Sequence, residues 1–280
     1  MKNKAIKQIE NILKIDKNEI ENFKRFNQGM SNYTYYFEAL NNKYVLRLKG
    51  MAAEKYVNYQ NEYNATIALE NTNLTGELIY FDINSGTKLS KYVEGKTLTE
   101  TTLSLVETLK KLHSIKALNV KNYNLIERLN LYESYNTSDI LNIYYEIKTW
   151  WIDTFLNNYK EEPQVLCHND LQNINIIVNN KKTYLIDFEF SAYNDIYYDI
   201  ASYEEDPFHL LELYLNRKLT SDDIKHLKFY QIYQSLQWYQ VALYKHHIGF
   251  SKETNYDFKE LTIYFIENAK SIYEEIKKEF

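Results

Sequence analysis

The sequence predicts an α+β protein in two lobes, a small β-rich lobe over residues 1–93 and a large, mainly helical lobe over residues 94–280. Three observations predict it. Short strand-like runs crowd the first ninety residues. Glu94-Gly95 then interrupts the pattern as a hinge would. Beyond it the periodicity is helical, except for one apolar hairpin made of Ile176-Ile177-Val178, a polar turn at 179–182 and a return strand at 183–186.

In chain order, residues 1–22 read as an amphipathic helix, without the continuous apolar core of a signal peptide or membrane span. Strands follow at 23–26, 33–39 and 44–48, with Asn41-Asn42 as the last turn. In the third strand Tyr44, Leu46 and Leu48 share one face, and Val45 and Arg47 the other. A helix at about 52–69 sets Glu62, Ala65 and Leu69 along one stripe. Strands at 78–81 and 88–93 close the first lobe. A helix at 99–113 repeats Leu103, Val106, Leu109 and His113 at helical spacing.

At 280 residues the chain can bury two real cores. Its net charge of −5 supplies no electrostatic footprint for nucleic acid. A single cysteine, Cys167, rules out an intrachain disulfide, and a reducing cytoplasm fits. Cys167 reads as a small buried apolar residue rather than a nucleophile.

The chemistry concentrates in His168-Asn169-Asp170-Leu171-Gln172-Asn173-Ile174-Asn175, followed after the hairpin by Asp187 in Leu185-Ile186-Asp187-Phe188-Glu189-Phe190. Phosphoryl transfer needs one carboxylate to take or orient a hydroxyl proton. It also needs an amide and a second carboxylate to hold the metal ions that neutralise phosphate. Asp170, Asn175 and Asp187 supply that set, in the order and spacing of the catalytic loop and metal-binding Asp of the protein-kinase-like fold. Arg47 is the strand cation that would touch the nucleotide phosphates, and a helix carboxylate would hold it. Glu62 is the expected partner and Glu54 the competitor. Between the first two strands, Gln28-Gly29-Met30-Ser31-Asn32 stands where a phosphate-covering loop belongs. There Gly29 allows close backbone approach, and Ser31 and Asn32 can donate hydrogen bonds. Lys91-Tyr92-Val93 would offer backbone groups to adenine, so Lys91 and Val93 join the nucleotide set.

With these residues in hand, the chain resembles the choline and ethanolamine kinases, in the bacterial choline-kinase-like branch of the aminoglycoside phosphotransferase superfamily. The resembling parts are residues 29–32, 44–50 and 168–175, and Ile186-Asp187-Phe188-Glu189-Phe190-Ser191-Ala192-Tyr193-Asn194 with Tyr198-Asp199-Ile200-Ala201. The resemblance runs from about residue 20 to 270. It implies ATP- and Mg2+-dependent phosphorylation of a small amino alcohol, choline first. By resemblance Asp170 is the base and Arg47 replaces the usual kinase lysine. Asn175 and Asp187 bind magnesium, Glu189 supports the metal or the hydroxyl end, and Gln172 lies near the base. Asp199 is a scaffold carboxylate that ties down the catalytic loop. Trp238 matches a family tryptophan of the choline pocket, with Tyr193 and the acidic run Glu204-Glu205-Asp206 as further ammonium candidates, Asp206 among them.

Departures from the pattern keep other acceptors open. Val241 stands where the family often has a second aromatic, and Phe190 where it has a tyrosine. A thinner aromatic box suits ethanolamine, and an aminoglycoside- or thiamine-like acceptor is a further alternative. A catalytically inactive nucleotide-binding module is disfavoured because Arg47, Asp170, Asn175 and Asp187 are all present. A protein kinase is disfavoured because no Ala-Pro-Glu segment follows Asp187. Expected partners are the small acceptor alone, with no nucleic acid and no membrane insertion. The oligomeric state is left open, a homodimer included.

Overall fold

A computed structural model describes residues 1–26, 32–180, 182–254 and 256–280. Among these the elements run α1 (Lys2–Leu13), β1 (Glu21–Phe26), β2 (Asn32–Ala39), β3 (Asn42–Lys49), α2 (Tyr59–Ala68), β4 (Leu78–Asp82), β5 (Thr87–Lys91) and β6 (Lys96–Thr97). They continue with α3 (Leu103–His113), α4 (Leu125–Glu133), α5 (Asn142–Asn158), β7 (Val165–Cys167), β8 (Ile176–Asn179), β9 (Lys182–Leu185) and β10 (Ala192–Asn194). The helices α6 (Ile196–Ala201), α7 (Pro207–Leu215), α8 (Ser221–His247) and α9 (Phe258–Ile276) complete the chain.

The chain forms two compact units. One comprises residues 1–98, 116–120 and 174–190, and the other 99–115, 121–173 and 191–280. A single cut at 93/94 therefore does not describe the division. The apolar hairpin β8–β9 belongs with the first unit, because β6 pairs with β8, Lys96 opposite Val178. Gly95 makes that pairing accessible. It sits at φ +151°, and an added Cβ would lie 2.5 Å from the Val178 carbonyl oxygen.

In the first unit, β1-β2-β3-β5-β4 form an antiparallel sheet. Alternation along β2 and β3 sends Tyr33, Tyr35, Phe37, Tyr44, Leu46 and Leu48 to one face, where Leu89 of β5 and Ala5 and Ile9 of α1 complete a core. The opposite face carries Thr34, Arg47 and Lys88, which are register partners across β2, β3 and β5. The first helix is shorter than the 1–22 expected. It ends at Leu13 with Lys14 left-handed, and a 3₁₀ turn at Lys17–Glu19 is closed by an Asp16/Glu19 capping box. The second helix starts at Tyr59, not near residue 52, because Asn58 caps it by accepting from the Asn61 amide. Residues Ala53–Lys55 make only a 3₁₀ turn, after Ala52 at φ 59°.

The second unit is helical apart from the β7–β10 pair. Its longest helix, α8, packs along α9 and also touches α4, α5 and α6. Trp151 of α5 is fully buried in this core, stacks on Phe229 and donates to the Phe229 carbonyl.

Candidate active site

In the first unit the sheet face opposite the apolar core collects ionic groups. Arg47, 5% exposed, reaches three carboxylates: Nη2 lies 2.6 Å from Glu62 Oε2, and Nη1 lies 2.9 Å from Asp187 Oδ1 and 3.5 Å from Glu189 Oε2. Glu62 is therefore the helix partner. Glu54 sits at the surface, 3.4 Å from Lys49. Asn32 donates to Glu189 Oε2 at 2.6 Å, so its amide holds a carboxylate of the assembly. Lys88, which the sequence did not single out, stands 3.2 Å from Glu62 Oε1.

The charges do not balance. Burial opposes the charge on Arg47, but Glu62, Asp187 and Glu189 more than offset that and hold the guanidinium firmly protonated. Glu189 pays the difference: burial first, then the charge of Asp187, push its carboxyl up to about 8 against the pull of Arg47. Asp187 itself has φ 62°, a left-handed conformation that Asp tolerates better than most residues. The hairpin places it: Ile176 pairs with Leu185, and the Ile186 amide donates to the Asn175 carbonyl. Asn175 is buried at that same end of the hairpin.

Lys91 ends β5 with its ammonium on Glu77 at 2.7 Å, and its amide donates to the Glu77 carbonyl. The Tyr92 amide donates to the Lys43 carbonyl, and Val93 follows half-buried. Gly29 and Ser31 lie outside the described residues.

The second unit holds the loop that follows β7, on which Asp170 is the expected base. Its backbone is tied down almost amide by amide. His168 N donates to Asp199 Oδ2 at 3.0 Å and Asn169 N to Asp199 Oδ1 at 2.6 Å. Leu171 N donates to Ser202 Oγ, and Asn173 N donates to Glu204. Asn169 is left-handed at φ 65°, with its side chain between the Ala192 carbonyl and Asn194. Asp170 is thereby set on a fixed loop and is half-buried between buried neighbours and Gln172.

Behind the loop, His113 Nε2 lies 2.9 Å from Asp199 Oδ2, and Nδ1 lies 2.9 Å from the Tyr214 hydroxyl. His113, Cys167 and Asp199 bring possible ligand atoms within 4.8 Å of one another. Direct contact between His113 and Asp199, with both Asp199 oxygens on backbone amides, makes this group a brace rather than a metal centre. Burial pushes the Cys167 thiol well up, as expected of an inert core residue. The scaffold role of Asp199 was read from resemblance. That of His113 was missed, since the sequence marked it only as one member of a helical stripe.

The acceptor candidates are spread through this unit. Tyr193 is half-buried in β10, and Trp238 is half-buried on α8 and stacks on Phe265 of α9. Of the acidic run, Glu204 and Glu205 both bind Asn173 of the catalytic loop. Asp206 is committed elsewhere: it caps α7 by accepting from the His209 amide and lines an open depression with Phe208, Glu212 and Lys228.

A model of the choline/ethanolamine kinases matches residues 23–214, which covers both the Arg47 assembly and the loop of Asp170. The chain belongs to the choline/ethanolamine kinase family. Among relatives of this kinase, an uncharacterized Mycoplasma pneumoniae protein is 27% identical over 245 residues, 82% of each chain. Protein LicA of Haemophilus influenzae is 26% identical over 243 residues, 75% of this chain and 70% of that one. In fold, the kinase is similar to the crystal structure of choline kinase LicA from Streptococcus pneumoniae, with a TM-score of 0.78, 22% identity and coverage of 97% and 98%. The fold is thus protein-kinase-like, and the family makes this chain a small-molecule phosphotransferase with an alcohol group as acceptor.

Proposed function

We propose that this kinase transfers the terminal phosphoryl group of ATP to the hydroxyl of choline, giving phosphocholine. The Arg47 assembly carries the nucleotide half of the reading. A buried cation with three carboxylates on one sheet face is costly as a structural element, yet suits binding of metal and phosphate. Asp187, Glu189 and Asn175 are hard oxygen donors. Three carboxylates gather round the one guanidinium of Arg47, so the donor set fits Mg2+. When bound, the ion would neutralise phosphate oxygens.

The remaining roles fall to the chain itself. Arg47 Nη1 orients the nucleotide phosphates, with Gly29, Ser31 and Asn32 as the covering loop. The Lys91 carbonyl and Val93 amide take the adenine edge. Asp170 accepts the acceptor's hydroxyl proton, and its braced loop keeps the carboxylate where that proton leaves, with Gln172 beside it. Trp238 and Tyr193 offer ring faces to the quaternary ammonium, which has no hydrogen to donate. Asp206 is not assigned to the acceptor, because its carboxylate caps α7.

The test is an ATP-consumption assay against choline, ethanolamine, thiamine and aminoglycosides. Choline should show the highest kcat/KM. Trp238→Ala should raise the choline KM about thirtyfold, since a desolvated cation–π contact is worth roughly 2 kcal/mol, and leave the ATP KM unchanged. A preference for ethanolamine would move recognition to carboxylates, because a primary ammonium has three donors to satisfy.

A further inference from the structure

Lys88 stands directly opposite Arg47 in the β3–β5 ladder, so both side chains leave the sheet on the same face. Between them lies Glu62, fully buried. Its two oxygens are divided: Oε2 goes to Arg47 Nη2 at 2.6 Å and Oε1 to Lys88 Nζ at 3.2 Å. The Lys88 side chain is only 13% exposed, so this is an enclosed bridge of two cations over one carboxylate.

Left to themselves, a guanidinium and a carboxylate close into a two-pronged fork. Closed end-on, such a fork would consume both oxygens of Glu62 and turn both Nη groups of Arg47 toward α2. Here Lys88 occupies Oε1. Arg47 meets Glu62 through one nitrogen, and Nη1 is left directed at Asp187 and Glu189. The charge count agrees. Glu62, Asp187 and Glu189 bring three negative charges when ionised, and Arg47 alone offsets one. Lys88 offsets a second at the carboxylate most deeply buried.

We propose that Lys88 is a positioning residue for the nucleotide. By holding one oxygen of Glu62 it prevents an end-on Arg47–Glu62 fork and keeps Nη1 of Arg47 on the side of Asp187 and Glu189, where nucleotide phosphate and metal would meet. The inference rests on the kinase reading above. It concerns a residue that acts through Glu62 rather than on substrate.

The experiment is a cycle of Lys88→Met, Lys88→Arg, Glu62→Gln and the Glu62→Gln/Lys88→Met double variant. Steady-state kinetics is read with calorimetric titration of Mg·ADP and thermal unfolding without ligand. Lys88→Met should weaken Mg·ADP binding and raise the ATP KM about tenfold, the effect of one charge-assisted hydrogen bond, with the acceptor KM unchanged. Lys88→Arg should recover most of the loss. In the Glu62→Gln background, Lys88→Met should change nucleotide affinity less than about twofold, because its route of action is already gone. If Glu62→Gln does not fold, Glu62→Met, which also removes the carboxylate, carries the same comparison, with the same smaller effect of Lys88→Met expected. Two outcomes overturn the proposal: wild-type nucleotide affinity in a folded Lys88→Met, or an undiminished loss in the Glu62 background. A wild type that binds no Mg·ADP and consumes no ATP overturns the kinase reading instead.

Discussion

The two units bury their carboxylates in opposite ways. Asp199, in the helical unit, is saturated by its neighbours: the amides of His168 and Asn169 and the ring of His113. In the sheet unit Glu62, Asp187 and Glu189 converge on a single guanidinium, and even with Lys88 on Glu62 the carboxylates outnumber the cations. The first arrangement is complete in the protein alone and makes a rigid loop. The second lacks charge that a divalent cation would bring. A saturated carboxylate marks scaffold here, and the under-neutralised group is where the proposed reading places nucleotide and metal.

The sharpest test removes one member from the crowded set. Asp187→Ala should lower turnover by about a thousandfold or more, since metal stabilisation of phosphoryl transfer is worth several kcal/mol. Thermal unfolding without magnesium should be unchanged or raised, because the neighbour that pushes Glu189 up is gone. A steep fall in melting temperature would show that this carboxylate is scaffold after all, and the contrast would collapse.

The same removal from the saturated set should do the reverse. Asp199→Ala strands two buried amides and a histidine, so denaturant unfolding should report a loss of about 3–5 kcal/mol. Activity and stability should fall together. Unchanged stability would mean that the loop does not depend on its brace.

Asp170 lies on the braced loop and is the proposed base. Asp170→Asn should lower kcat about a hundredfold by the worth of positioned proton transfer, with Mg·ATP binding and melting behaviour intact. Near-normal turnover would remove it from the role of base.

The smallest effect concerns a second saturated carboxylate, Asp223 of α8. Its hydrogen bond to Arg217 first, with others to Tyr197 and Thr220, hold the carboxyl well below its usual value despite burial. A depressed folded-state pKa gives stability that is present above the unfolded value, about 3.9, and is lost as pH falls through the folded one. Asp223→Asn should therefore cost about 1–2 kcal/mol at neutral pH. Urea unfolding at a series of pH values should show the gap to wild type narrowing below about pH 4. A gap independent of pH would assign the loss to packing.

How much of this was legible depended on distance along the chain. The loop from His168 to Asn175 and the carboxylate of Asp187 were readable because a local motif and one hairpin carry them. Arg47 followed from strand alternation, and Glu62 from a helical stripe, although Glu54 could not be set aside until its surface pairing with Lys49 was seen. Lys88 was invisible because its meaning lies in β3–β5 register, which no local pattern states. The start of α2 was misjudged because Ala52, Ala53, Glu54 and Lys55 are good helix formers. The left-handed Ala52 and the Asn58 cap override that propensity. The hairpin was assigned to the wrong unit because two residues of β6 recruit it across about eighty positions of sequence.

The intervening sequence also sets an order of assembly. Arg47 and Asp187 are 140 residues apart, and the first unit takes its last segment, 174–190, only after the first two segments of the second have been made. At the usual pace of synthesis, about 5–20 residues per second, roughly 7–28 s separate the two residues on the ribosome. Glu62 and Lys88 emerge early in that interval. The nascent sheet can thus close a bridge of two cations over one carboxylate, with a surplus of positive charge, before Asp187 and Glu189 exist. Those two acids then arrive at a site already primed to receive them.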